Sequence, residues 1–149
     1  MSTKKSNIIF MEGKEKILQK LFNSDSFGFL AVGYNSSPDD TNGFINIDQD
    51  DETSDRGFNE IEEATYQRVP LSFHSITNKD EDNGTVTAKF TAELDLDNVI
   101  NNVPINQIAI VDSSDQNNKA NTTYFAAAVT ETFTKSEKLA LVFVIEVTM

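Results

Sequence analysis

The stretch from Thr85 to Ala92 leaves little choice of secondary structure. Val86, Ala88, Phe90 and Ala92 alternate with Thr85, Thr87, Lys89 and Thr91, a period of two that sends apolar side chains to one face of a strand and polar ones to the other. Upstream, Val69, Leu71, Phe73 and Ser75 alternate with Pro70, Ser72 and His74, and Asn78–Gly84 joins the two runs through Asn83-Gly84, a hairpin turn signal. A hairpin with one apolar face needs a second layer to cover that face. The chain is therefore committed to a layered β architecture.

The remaining segments supply that layer. Phe27–Tyr34 is too short and too glycine-interrupted for a helix, and its glycines point to close approach of another backbone or a twist point. Ile105–Val111 and Thr122–Thr130 read as strands, and Leu139–Thr148, nearly continuous in apolar residues, reads as a central or interface strand. One helix is expected over Glu12–Phe22, where Ile17, Leu18, Leu21 and Phe22 form a single apolar stripe. A second, short helix is expected at Asn59–Tyr66, with Asn59 as cap and Glu60, Glu62 and Glu63 in its first turn. Leu94–Pro104 reads as an irregular connection with one helical turn at Asp97–Asn101. Six strands and two helices predict an antiparallel β-sandwich or flattened barrel with one N-terminal helix and a short second helix. The expected organisation is an N-terminal arm (residues 1–11) and a single β-sandwich-like domain (residues 12–149), carrying a long acidic loop at 35–59.

Composition narrows the chemistry. The 149 residues carry a formal charge of −12, one histidine and no cysteine. Without cysteine there is no disulfide scaffold, iron–sulfur cluster, zinc–thiolate site or thiol nucleophile, and a single His74 makes a histidine-based triad or a multi-histidine metal site improbable. The charge is uneven: residues 1–22 hold five lysines against Glu12 and Glu15, a net of +3, which leaves −15 for the rest. Such an acidic balance argues against binding nucleic acid, which needs clustered Lys and Arg. No apolar stretch reaches the ~20 residues of a membrane span, and Ile8-Ile9-Phe10-Met11 is too short for a signal-peptide core. Neither nucleic acid nor a membrane is expected as a partner.

Candidate sites are few. Asp48, Asp50 and Glu52 have the alternate spacing of oxygen ligands for calcium, but Thr53 stands where an EF-hand loop has glycine and Asn59 where it has the bidentate carboxylate; a solvated loop is the better reading. Asn78–Gly84 reads as a charged turn that discourages edge-to-edge pairing. The pairs Glu62/Glu63 and Asp95/Asp97 lack any glycine-rich or aromatic substrate platform, and no phosphate loop, nucleophile elbow or HExxH motif is present. No catalytic residue, cofactor or firm metal site is expected. Exposed apolar residues are more informative. Ile8, Ile9 and Phe10 in the arm, with Phe44 and Phe58 in the long loop, are costly to leave in water and are the expected interface residues.

The order of motifs resembles that of small virion structural proteins and fibre-attachment modules of tailed bacteriophages, over nearly the whole chain. These have a helix leading into an "IAIGxG" strand, then a short Glu…Arg segment, a β-hairpin, an "I-x-E-I-G-L-F-D" strand and a closing apolar strand. The counterparts here are Phe29-Leu30-Ala31-Val32-Gly33-Tyr34, Glu62 through Val69, Phe90-Thr91-Ala92-Glu93-Leu94, Ile105 through Asp112, and Phe133-Thr134-Lys135 followed by Leu139–Thr148. Gln107 and Ala109 stand where the pattern has Glu and Gly. The resemblance implies a non-enzymatic role in the virion: a tail, neck or head-fibre component made in the host cytoplasm, whose partners are other virion proteins and its own copies. The alternative from another class is a calcium- or glycan-binding β-sandwich module.

Overall fold

The computed structural model describes residues 9–22, 26–36, 58–118 and 121–149. Among these are one helix, α1 (Met11–Leu21), and seven strands: β1 (Phe29–Gly33), β2 (Val69–Pro70), β3 (Ser72–Asp80), β4 (Thr85–Leu94), β5 (Val103–Val111), β6 (Tyr124–Lys135) and β7 (Leu141–Thr148). They form two antiparallel sheets, one in the order β2-β1-β5-β6 and the other β3-β4-β7. The result is a β-sandwich, not a closed barrel, because β6 and β7 each end a sheet without pairing with one another.

The alternation that opens the sequence argument carries the core. Val86, Ala88, Phe90, Ala92 and Leu94 of β4 are all buried, and they face Leu30, Val32, Ile105 and Ile110 of the other sheet. The β3–β4 hairpin turns at Gly84, whose φ of +66° is a left-handed conformation that glycine adopts without steric cost. Val69 and Leu71 are buried as the alternation requires. The chain leaves the first sheet after Pro70 and enters the second at Ser72, so the run read as one strand is divided between the two layers. Phe73 is consequently half-exposed, touching the core through an edge-on contact with Phe90 at 5.8 Å.

Helix α1 lies on β4 and β3. It buries Leu18, while Phe22, just past its last residue, fills the end of the sandwich. Phe22 meets Phe90 of one sheet at 4.9 Å and Phe125 of the other at 4.8 Å, both edge-on, the geometry that ring quadrupoles favour. On the opposite face of the first sheet, Ala31, Ala109 and Val111 form a smaller cluster under Phe58.

Two expectations are corrected. The short second helix is absent: residues 59–61 run extended along β1, with Tyr34 N–H donating to Asn59 O (2.9 Å) and Ile61 N–H to Val32 O (3.2 Å), and only Ala64-Thr65 turn. The reason is Gly33. A Cβ there would lie 2.3 Å from Asn59 O, so the glycine admits the passing backbone, and main-chain pairing overrides the capping pattern. Secondly, of the two places expected for Leu139–Thr148, a central or an interface strand, the central one is overturned: β7 is an edge strand with β4 as its sheet neighbour.

Candidate functional site

Two regions stand out, one polar and closed, the other apolar and open. The polar region is built on Glu60, Tyr66 and Arg68, all buried. Arg68 forks onto Glu60, with Nε donating to Oε2 and Nη2 to Oε1, both at 2.9 Å. Its Nη1 donates to Ser113 O (2.9 Å) and Thr122 Oγ1 (3.1 Å). Tyr66 Oη donates to Glu60 Oε2 (2.6 Å) and accepts from Val32 N–H (3.1 Å). Each part has a local cause. The β1 edge holds Glu60 in place through the Gly33 pairing, and the entry to β2 points Arg68 inward beside it. The bidentate fork suits guanidinium and carboxylate geometry.

Charge and burial act together here. Desolvation raises the Tyr66 pKa well above the ordinary phenol value, and the neighbouring Glu60 charge and hydrogen bond raise it further. Desolvation works against the Arg68 cation, yet the hydrogen bonds and charge of Glu60 outweigh it and hold Arg68 above its ordinary value. The donors and acceptors of this cluster are spent on one another and on the backbone. What they can do chemically is tie the 58–68 segment to β1 and to the loop before β6. Gln107 adds to the tie, its buried Oε1 accepting from Asn59 N–H at 3.0 Å. Beside the cluster lies a polar recess of ≈ 460 Å³, lined by Glu60, Glu62, Glu63, Tyr66, Gln116 and Asn117 among others.

A second buried charge sits at the end of β6. Lys135 Nζ donates to Ser136 O (2.6 Å) and Val99 O (3.4 Å). Desolvation lowers its pKa from the ordinary lysine value, against the pull of Asp95, Asp97 and Glu63. Val99 reaches Lys135 from a φ of +67°, a strained conformation for a β-branched residue.

The apolar region is the open side of the sandwich between β6 and β7. The small residues Ala126 and Ala128 of β6 stand opposite Ile145 and Val147 of β7 across a groove of ≈ 360 Å³, with Ile108 and Ile110 among its other walls. Phe125, which lines it, is exposed, as are Phe133, Leu139, Val142 and Val144 elsewhere on β6, β7 and the turn between them, the last two at 62% and 57%. On β7 these two valines point away from the core while Phe143 between them is buried, the period-two geometry of a strand with both faces apolar.

The sequence-predicted residues fall in different places. Ile9 and Phe10 are exposed, at 52% and 72%, immediately before α1. Phe58 is the exception: it is 7% exposed and stacked edge-on against Tyr124 at 5.9 Å, so its own chain covers it and it is unavailable as an interface residue. Ile8, Phe44 and the calcium candidates Asp48, Asp50 and Glu52 lie outside the described residues. Among the described residues no three histidine or carboxylate side chains converge as a metal site would require. His74 is exposed, with Nδ1 3.0 Å from Ser75 Oγ. Sequence reading missed the Glu60–Tyr66–Arg68 cluster and the open groove. Compared with known proteins, the chain matches no family model, no curated protein and no solved structure.

Proposed function

We propose that this chain is a non-enzymatic structural protein of a tailed-phage virion, joining or attaching neighbouring components of the tail, neck or fibre through symmetric oligomeric assembly. The observation that carries the assembly part is the apolar surface that the described residues leave uncovered on β6, β7 and the turn between them: Phe125 beside the groove, and Phe133, Leu139, Val142 and Val144 exposed elsewhere on these elements. Contiguous exposed apolar patches mark places where other proteins bind. The buried polar residues support the same reading, because Arg68, Glu60 and Tyr66 are engaged with each other and the backbone. The virion part rests on the resemblance of the strand motifs to phage attachment modules.

The test is to purify tailed-phage particles from cells that produce the chain and to measure its copy number per particle. A fixed integral stoichiometry is the expected result; absence from purified virions rejects the reading. Deleting Ile8–Phe10 should leave the fold intact and abolish incorporation.

The calcium- or glycan-binding alternative draws on the polar recess beside Glu62, Glu63 and Gln116. Calorimetric titration with Ca²⁺ and with a glycan panel separates it. Sub-millimolar calcium binding that disappears in Asp48→Asn/Asp50→Asn would favour that alternative.

A further inference from the structure

Among the described residues the two sheets have four outer edges, and three of them are blocked. Strand β2 is two residues long and ends in Pro70, which has no N–H to offer a neighbour. Strand β3 is interrupted by register shifts between Phe73 and Ser75 and between Ile76 and Asn78; it carries Lys79 and Asp80, and α1 is bound to it through the Glu15–Lys79 ion pair. Strand β6 is irregular at two places, opposite Ile105–Gln107 and opposite Ile110–Val111. Short length, charge, proline and bulges are the devices that keep an edge from recruiting another strand.

Strand β7 has none of them. It pairs with β4 without a register shift from Leu141 to Thr148, and Met149 continues the ladder through reciprocal hydrogen bonds with Val86 at 2.9 Å. It holds no proline and one charged residue, Glu146. Its outer face presents Val142 and Val144, the most exposed large hydrophobic residues of the described chain after Phe10.

We infer that β7 is the docking edge for a second copy of this chain, pairing antiparallel with its own counterpart about a two-fold axis to make one six-stranded sheet. This rests on the assembly reading above and names the partner of that surface. The sequence of the edge suits its own copy. A chain of net charge −12 repels its own copies over most of its surface, but β7 carries one carboxylate, Glu146. An antiparallel strand edge is also its own complement under a two-fold. The register that centres the axis on Phe143 sets Val142 opposite Val144 of the second copy, twice, and sets Glu146 opposite Ala140. The two carboxylates then do not face one another, and four valines close a continuous outer patch.

The full chain contains no cysteine, so introduced thiols report the contact cleanly. In sedimentation velocity at micromolar concentration the unmodified chain should run at twice its 16.6 kDa mass. Val142→Lys/Val144→Lys, which alters exposed side chains alone, should keep the circular dichroism of the parent and run at the single-chain mass. Under mild oxidation a mixture of Val142→Cys and Val144→Cys chains should give a disulfide-linked dimer, and either variant alone much less of it. A single-chain mass for the parent, a dimer that survives the double lysine substitution, or no preference for the mixed crosslink would each overturn the inference. These readouts concern the contact alone. Whether the chain belongs to a virion is decided by its copy number in particles, so the two ideas fail separately.

Discussion

The Glu60–Arg68 side of the sandwich and the β7 side invert the usual division of residues. On the first, a carboxylate, a guanidinium and a phenol are withdrawn from water and bound to one another; on the second, valines are left facing it. A buried ion pair is weak evidence for stability, because desolvating two charges offsets most of their attraction. What this pair does is fix geometry: three hydrogen bonds from Arg68 and Tyr66 hold Glu60 within the 58–68 segment, and two more from Arg68 tie that segment to Ser113 and Thr122 across the fold. Exposed valines, in turn, do nothing for the fold of a lone chain. The contrast teaches that polarity alone does not locate the core here; satisfaction of partners does.

The sharpest way to break this contrast is Arg68→Met. It strands the Glu60 carboxylate in a dry site and should cost about 3–5 kcal/mol in urea unfolding. Replacing both partners, Glu60→Leu with Arg68→Met, should recover most of that loss. A double variant as unstable as the single one would show that the pair itself, and not the orphaned charge, carries the energy. Next comes Gly33→Ala, which forces a methyl group against Asn59 O and should cost ~1–3 kcal/mol by the same measurement.

Tyr66→Phe leaves Glu60 with one donor fewer and should cost ~1–2 kcal/mol at neutral pH. It also carries a pH signature. The folded chain holds the Tyr66 proton more tightly than the unfolded chain does, so its contribution is fully present below the unfolded phenol pKa of ~10 and is lost as pH rises beyond it. Above that pH the parent should lose ~1.4 kcal/mol per pH unit relative to Tyr66→Phe; parallel stability curves would refute the assignment. The smallest effect belongs to the open edge. Val142→Thr/Val144→Thr should change single-chain stability by no more than ~0.5 kcal/mol, and a larger loss would mean that these side chains support the fold of one copy.

The sandwich was legible in the sequence where pattern and burial coincide. The alternation around Phe90 placed the core face of β4, and the stripe at Leu18 placed α1 to within a residue at each end. The segment at Asn59–Tyr66 misled because Asn followed by acidic residues is a helix-start signal, whereas the competing partner, the main chain of β1 beyond Gly33, lies 26 positions upstream. Arg68 and Glu60 are eight positions apart across a segment that is neither helix nor strand, so no periodic element announces their meeting. Leu139–Thr148 read as a central or interface strand because an unbroken apolar run reports two apolar faces without saying what covers the outer one. The interface expectation fared differently along the chain: Ile9 and Phe10 are exposed, while Phe58 found its cover in Tyr124.

The bulges of β6 have an arithmetical consequence. A building block with two usable rims can add neighbours at both, and growth then runs on into a filament or an insoluble ribbon. Among the described residues β6, β3 and β2 are all spoiled for pairing, so if β7 is the attachment rim, no described edge is left once it is taken. Doubling would therefore also be termination, and further growth of any particle would have to proceed through side chains instead of backbone ladders.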